Sequence, residues 1–316
     1  MACWVVSCEL IHSKDLVKVN PWIVAVKLPA LPKILLPALA GLCLGLDGIE
    51  GVPWASIGLV LLLAICMQWS IVLLNDYADV RADTHHMRTY PELFDRRVLV
   101  EGWLKPNQVA RAGGMACGGV VLCAGGLYGL GHVAVLPMAV AGLLLIWAYS
   151  FAPLRLNYRG GGEALEIVGA GILMPLIGYS AVRFDMQRDA LYLLVPVVLY
   201  ALIGALVSGL KHEPADRDSG KKTLCVWIGS VAVRRVVWGA QIASRLWCGL
   251  LFLSGAYGLY AMVLAALAPA LPMYMTRRVD GRADYRDANA LSAYKKSVQQ
   301  AAYLTYGGVL LDFLLS

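Results

Sequence analysis

The sequence predicts an all-α membrane protein, a polytopic helical bundle with about nine transmembrane helices in one domain over 1–316. Three observations carry this prediction. Of the 316 residues, 59% are hydrophobic and only 15% are charged. The mean hydropathy of +0.66 exceeds that of soluble globular chains. Finally, the apolar residues form long runs of the length that a bilayer requires, while the basic residues collect in alternate connections between those runs.

The apolar runs define the predicted helices, because spanning the hydrocarbon takes about 20 residues of helix. Charged residues, Pro or Gly bound most of them, but only glycines at 255–258 separate the seventh run from the eighth. The runs fall at about 22–46, 52–74, 108–130, 132–150, 164–182, 190–210, 231–254, 256–275 and 298–315. Within the third run, Gly114 and Gly118 have the GxxxG spacing that predicts close helix packing.

The basic residues predict the orientation, because Lys and Arg accumulate on the cytoplasmic side. Nineteen of them lie in one alternating set of connections, against Arg183 and Arg188 in the other. The N-terminus, about 1–20, and the long polar loops are therefore expected in the cytoplasm of a multi-pass cell-membrane protein. The N-terminus lacks a basic segment ahead of its short apolar run, so no signal peptide is predicted. The net charge of +6 is explained by orientation and predicts no nucleic-acid partner.

The first chemical motif stands at the end of the second run, where Asn75, Asp76, Asp79 and Asp83 follow one another. If the helix continues, Asn75, Asp79 and Asp83 are spaced four apart and share one face. Carboxylate and amide oxygens suit Mg²⁺, which is often shared between protein carboxylates and substrate phosphates. A solvated helix end is the alternative interpretation, and the regular spacing argues against it.

The loop after the sixth run contains a second mixed cluster on the same predicted side of the membrane. Acidic and basic residues alternate there, including His212, Glu213, Asp216 and Lys221. Two acidic clusters that hold metal, with Lys and Arg between them, would match a diphosphate and stabilise its charge as it leaves. Alone, this loop is equally compatible with a solvated run of charges.

The motifs resemble those of the UbiA-type intramembrane prenyltransferase superfamily. Asn75 to Asp83 match its NDxxDxxxD signature, and Arg97 to Gly102 resemble its Arg-x-Leu-x-x-Gly element. The segments 149–155 and 158–163 are similar to the branch that prenylates dihydroxynaphthoate in menaquinone synthesis. The resemblance runs from about Lys27 to Gly229 and is most specific in the first motif.

This resemblance implies a bundle around a central cavity, with a polar cytoplasmic cap and a lateral opening to lipid for the prenyl chain. It implies Mg²⁺ as cofactor, bound by Asn75, Asp76, Asp79 and Asp83, with Asp216 in a second metal site. The residues expected to contact the substrates are Lys27, Asn75, Arg97, Tyr149, Arg155, Tyr158, His212 and Lys221. Of these, Tyr149 and Tyr158 could line the path of a carbocation through their π faces, or anchor the helices at the interface.

One departure from the family pattern concerns the second motif, which usually has two aspartates four residues apart. Counting back from Gly220 places Asp216 in the later position but His212 in the earlier one. Glu213 could take over the metal role, or a deletion could pair Glu213 with Asp216 and Asp218. The sequence leaves both possibilities open.

The predicted function is transfer of a prenyl group from a prenyl diphosphate to an aromatic or quinone-precursor acceptor in the lipid bilayer. A terpene cyclase that ionises the same substrate without an acceptor is the first alternative, favoured by the altered second motif. A transporter with buried carboxylates is the second. Its carboxylates would be expected near the bilayer midplane, whereas these lie mainly at helix ends and in loops.

Overall fold

A computed structural model describes residues 20–184 and 188–315, and these residues form helices joined by turns. The predicted cytoplasmic N-terminal segment, with Lys14 and Lys18, lies outside the described residues apart from Asn20. The α-helices in chain order are α1 (Pro21–Ala25), α2 (Pro32–Leu46), α3 (Trp54–Thr89), α4 (Pro106–Gly129), α5 (Val135–Ser150), α6 (Leu156–Arg159), α7 (Gly162–Glu166), α8 (Met174–Ser180), α9 (Arg188–Leu193), α10 (Val195–Leu210), α11 (Glu213–Asp218), α12 (Leu224–Leu253), α13 (Ala270–Val279) and α14 (Ala288–Leu315).

Two π-helical segments interrupt the α-helical pattern. Ile167–Leu173 connects α7 to α8, so that Gly162–Ser180 is one continuous helix, and Ala261–Leu267 precedes α13. These wider turns shift the register of the side chains that follow them, and π-helical turns are frequent near functional sites.

The described helices confirm a multi-pass membrane protein. Five of them are long and apolar enough to cross a bilayer, and α1 with α2, bent by 49°, gives a sixth if the pair is one span. The shorter α5 is also apolar. The predicted run 256–275 falls on the segment Ala261–Leu267 and the start of α13, and the run 298–315 falls within α14, but neither region is among the helices that are long and apolar enough to span. The count of nine spans therefore stays a prediction.

The helix α3 extends far beyond its predicted boundary at 74. Nothing between Gly58 and Pro91 breaks the helix, which ends at Thr89, because the residue before a proline disfavours the helical conformation. The whole first acidic motif is therefore helical, as the predicted common face of Asn75, Asp79 and Asp83 requires.

In α4, the glycines that pack closely against a neighbouring helix are not the predicted pair. A Cβ added at Gly114 or Gly118 would meet no atom of the described residues within 4 Å, so the predicted GxxxG contact is wrong for packing within the chain. The neighbouring Gly113 and Gly119 face α3 instead, where added Cβ atoms would approach Leu74 and Cys66 at 2.7 Å. The helical period explains the error, because residues one position apart point about 100° away from each other.

The core consists of two main apolar clusters. One joins α2, α3, α4, α5 and α8, and the other joins α10, α12, α14 and the Ala261–Leu267 segment with other residues of α2 and α8. The helices α3 and α5 pack in the first cluster, and α10 packs in the second. Polar side chains of α3, α5, α10 and the short α11 line one cavity between these clusters.

Candidate active site

A cavity of about 190 Å³ lies at the charged ends of these helices. Its wall is formed by the last part of α3, the end of α5, parts of α6 and α7, the end of α10, and α11 with the turns on either side of it. Acidic and basic side chains alternate around it, with Asp79, Asp83 and Asp216 beside Arg97 and Lys221. The two motifs that are far apart in sequence therefore share one cavity.

The three aspartates of the first motif are buried on one face of α3, with exposures of 3%, 4% and 9% for Asp76, Asp79 and Asp83. Asp79 and Asp83 line the cavity, whereas Asp76 is not among the described residues that do so. Asn75 also lines it, and its Oδ1 accepts a hydrogen bond from the Ser150 hydroxyl at 3.4 Å. The spacings of three and four residues explain why the aspartates share one face of the helix.

Two cations hold Asp76 behind the cavity. Lys27 Nζ lies 2.6 Å and Arg97 Nη1 lies 2.5 Å from its Oδ1. Lys27 adopts a left-handed backbone conformation, with φ of 47°, where the chain turns between α1 and α2. Arg97 also reaches Asp83, with Nε 3.6 Å from Oδ2, and therefore links the two carboxylates.

Asp79 is held by residues from the other side of the cavity. Tyr158 donates a hydrogen bond to its Oδ1 at 3.1 Å, and Lys221 Nζ lies 2.9 Å from its Oδ2. The Arg155 guanidinium lies 3.8 Å from the centre of the Tyr158 ring. Burial raises the pKa of Tyr158 to about 12, so that the phenol stays protonated and donates. Among the described residues, Tyr158 and Arg155 support Asp79 from behind and do not line the cavity.

Lys221 connects the two motifs, because its Nζ lies 2.9 Å from Asp79 and 3.9 Å from Asp216. Burial alone would lower the pKa of Lys221, but the two carboxylates outweigh it and raise the pKa. Burial raises the pKa of Asp216 to about 6. The ammonium group of Lys221 therefore lies between two carboxylates, one on α3 and one on α11.

The other residues of the second motif turn to separate partners. Glu213 is buried, bonded at 2.8 Å to Arg217 one turn later, and does not line the cavity in the described part of the chain. His212 lines the cavity and its Nδ1 lies 3.4 Å from Nδ1 of His86. Burial, followed by the charges of His86 and nearby lysines, lowers the pKa of His212 well below its usual range. His212 is therefore neutral at physiological pH.

Several cavity residues were not identified from the sequence. His86, Asn157 and Glu163 line the cavity, and Glu163 Oε1 accepts a hydrogen bond from the Leu224 amide at 2.7 Å. Glu166 also lines it and accepts a hydrogen bond from Tyr149 at 3.1 Å. A sequence signal existed for Glu166, since it lies inside the predicted span 164–182 and an acid inside a span indicates function.

The donor set fits Mg²⁺ only if a substrate shares the ion. The described residues contain no group of three or more His, Cys, Asp or Glu side chains placed to hold one metal ion. However, Mg²⁺ commonly takes one or two carboxylates and completes its shell with water and substrate phosphates. Asp79, Asp83 and Asp216 offer carboxylate oxygens at one cavity, and their present partners are Arg97 and Lys221. Both cations are suited to phosphate as well.

An apolar bundle with a charged cavity at the helix ends is the architecture expected of a polytopic membrane enzyme. The sequence matches the model of the UbiA prenyltransferase family over residues 34–297. The chain belongs to that family and is a membrane prenyltransferase. A comparison with curated protein sequences gives no match.

Solved structures share the fold at low sequence identity. A UbiA homologue from Archaeoglobus fulgidus bound to DMAPP and Mg²⁺ has a TM-score of 0.65 and 13% identity, covering 92% of this chain and 99% of that one. An apo UbiA homologue from Aeropyrum pernix K1 has a TM-score of 0.67 and 14% sequence identity, covering 91% of this chain and 97% of that one. A structure of digeranylgeranylglyceryl phosphate synthase has a TM-score of 0.63 and 14% sequence identity, covering 94% of this chain and 98% of that one. At such identities the likeness establishes the fold.

Proposed function

We propose that the protein transfers a prenyl group from a prenyl diphosphate to an aromatic or quinone-precursor acceptor, with Mg²⁺ as cofactor. The observation that carries this proposal is the alternation of carboxylates and cations around one cavity between two apolar cores. A diphosphate with bound divalent ions has the same alternation of charge. The diphosphate and Mg²⁺ bound to homologues of the same fold support the proposal.

Asp79, Asp83 and Asp216 would hold the Mg²⁺, with Asn75 beside Asp79 as a neutral oxygen donor. Bound Mg²⁺ supplies charge stabilisation for the diphosphate leaving group. Asp76 lies away from the cavity and is already paired with Lys27 and Arg97. Its role would be to position those two cations.

The basic residues would orient the diphosphate once their carboxylate partners turn to the metal. Arg97 can offer two parallel N–H donors to a phosphate, and its Nε now makes no hydrogen bond within the described residues. Lys221 lies between Asp79 and Asp216 and would contact the same group as a point charge. These contacts strengthen as negative charge develops on the departing oxygen.

The acceptor would enter beside Tyr149, which lines the cavity. The similarity of segments 149–155 and 158–163 to the branch that prenylates dihydroxynaphthoate supports a hydroxylated aromatic acceptor. The basic residues of the long loops support a cytoplasmic cavity, N-terminus and active-site loops.

Turnover of the purified protein in lipid nanodiscs tests this function. We would incubate it with dimethylallyl, geranyl and longer prenyl diphosphates, with and without dihydroxynaphthoate or hydroxybenzoate, and analyse products by mass spectrometry. The proposal requires prenylated acceptor that forms with Mg²⁺ and not with EDTA. A cyclic hydrocarbon formed without acceptor would show a terpene cyclase instead. Intact diphosphate under all conditions would contradict both.

A further inference from the structure

Glu166 is an acidic residue in the wall of the cavity, near the start of a candidate membrane span. It is the last residue of α7, within the continuous helix Gly162–Ser180 that is long and apolar enough to span the bilayer. A carboxylate within a span is costly and is retained where it has a partner and a function. It lies on a different helix from the aspartates assigned to the metal.

The backbone next to Glu166 is unusual, because the π-helical segment Ile167–Leu173 begins immediately after it. A π-helical turn costs helical stability and is frequent at functional sites. The helical irregularity and the half-buried acid therefore coincide at one point of the cavity wall.

The Glu166 carboxylate has one protein hydrogen bond and an open side. Tyr149 donates to Oε1 at 3.1 Å, and no hydrogen bond within the described residues reaches Oε2. Lys33 of α2 and Glu163 act on it electrostatically without pairing with it. Asn157 lines the same cavity, is only 5% exposed, and its Oδ1 is buried without a partner. An ionised carboxylate and an amide oxygen only accept, so their missing partner is a donor.

A second carboxylate in the protein shows what a purely structural acid looks like. Asp312 of α14 stands beside the other π-helical segment, Ala261–Leu267. Its two oxygens accept from the Gly258 amide at 3.0 and 2.8 Å and from the Ala261 amide at 3.3 Å. Asp312 therefore satisfies backbone amides and is not among the described residues that line the cavity.

We propose that Glu166 is a catalytic base that binds a hydroxyl group of an aromatic acceptor and removes its proton, with Tyr149 holding the carboxylate in place. This inference rests on the proposed prenyl transfer. It adds the residue that activates the hydroxyl group of the acceptor.

The bonds and protons balance as follows. The acceptor O–H bond breaks and its proton goes to Glu166, which enriches the adjacent ring carbon. That carbon forms the new bond to the allylic carbon, whose bond to the diphosphate oxygen breaks with the electron pair leaving on the diphosphate. The ring then loses its carbon-bound proton to the diphosphate, and Glu166 returns its own proton to the ring oxygen. The products are prenylated phenol and protonated diphosphate.

The test separates ionisation of the diphosphate from transfer to the acceptor. We would measure prenyl alcohol formed with water and prenylated dihydroxynaphthoate in parallel, for wild type, Glu166→Gln, Tyr149→Phe and Asp312→Asn in nanodiscs with geranyl diphosphate. Glu166→Gln should reduce transfer by about 10²-fold to 10⁴-fold, the usual contribution of a positioned base, while prenyl alcohol still forms. Tyr149→Phe should reduce transfer less. A more acidic acceptor, already ionised in solution, should restore part of the loss in Glu166→Gln.

Asp312 is the matched control, because it is a buried acid that does not line the described cavity. Asp312→Asn should lower the melting temperature and leave the ratio of transfer to hydrolysis unchanged. Normal transfer by Glu166→Gln, or an equal loss of transfer and hydrolysis that no acidic acceptor restores, would overturn the role of Glu166. Absence of both products in wild type would instead overturn the proposed function.

Discussion

The two acidic motifs contain the same kinds of side chain but differ in how the fold presents them. The first lies on α3, a helix of 36 residues, and its three aspartates are all buried on one face. The second lies on α11, a helix of six residues between two turns. There Asp216 faces the cavity, Glu213 bonds to Arg217, and Asp218 accepts from Tyr90 at 2.7 Å.

The difference shows that acidic spacing predicts a shared site only where a long helix fixes the directions of the side chains. On α3 the i, i+4 period and tertiary packing determine where each carboxylate points. On α11 the neighbouring Arg217, His86 and Tyr90 determine it. The first motif should therefore tolerate almost no change, and the effects within the second should be unequal.

The largest effect is expected in the first motif. Asp79→Asn and Asp83→Asn should each lower prenyl transfer by about 10²-fold to 10³-fold, as when one charge-stabilising contact in a transition state is removed. The measurement is turnover in nanodiscs at saturating Mg²⁺, with the exposed Glu50→Gln as a control of normal activity. If both aspartate variants were nearly as active as wild type, the α3 stripe would have no catalytic role.

A smaller and unequal effect is expected in the second motif. Asp216→Asn should cost about 10-fold to 100-fold and raise the Mg²⁺ requirement, since contacts with a charged group are worth about 1.5–3 kcal/mol. Glu213→Gln should change turnover little, because the Glu213 carboxylate is bonded to Arg217 and does not line the cavity in the described part of the chain. Mg²⁺ titrations of turnover would measure both. The reverse order of effects would place the second metal on Glu213.

The histidine of the second motif should have a milder role. His212→Ala removes one neutral contact with His86, worth about 0.5–1.5 kcal/mol, and turnover should fall by less than about 10-fold. His212→Asp restores the carboxylate usual in the family and should lower the Mg²⁺ concentration at half-maximal rate. The exposed His85→Ala is the matched control. Complete inactivity of His212→Ala would indicate chemistry that depends on the imidazole.

The smallest effect is expected at the edge of the second motif. Tyr90→Phe removes the hydrogen bond to Asp218, and both residues lie outside the described cavity wall. Turnover and the Mg²⁺ requirement should stay close to those of wild type. A large loss of turnover with normal folding would show that Asp218 belongs to the metal site after all.

The sequence predicted the membrane class, the place of most helices and the content of the first motif. Hydropathy and helical period are local properties, so they located the apolar part of α3 and gave the shared face of the motif on condition that the helix continued, but the predicted boundary at 74 was wrong. It could not assign partners between distant segments, such as Lys27 with Asp76 or Lys221 with Asp79, because tertiary packing brings these together. For the same reason it could not show that Glu213 turns away from the cavity and that Glu166 faces it.

Binding of a non-cleavable prenyl thiodiphosphate to the purified protein tests the shared cavity most directly, because it needs neither an acceptor nor turnover. We would measure its dissociation constant calorimetrically in nanodiscs, with Mg²⁺ and with EDTA, for wild type, the Asp79→Asn/Asp83→Asn double variant and Glu213→Gln. Wild type and Glu213→Gln should bind tightly with Mg²⁺ only, and the double variant should not bind. Equal binding by all three proteins, or binding that EDTA leaves unchanged, would contradict a metal-dependent diphosphate site built on α3.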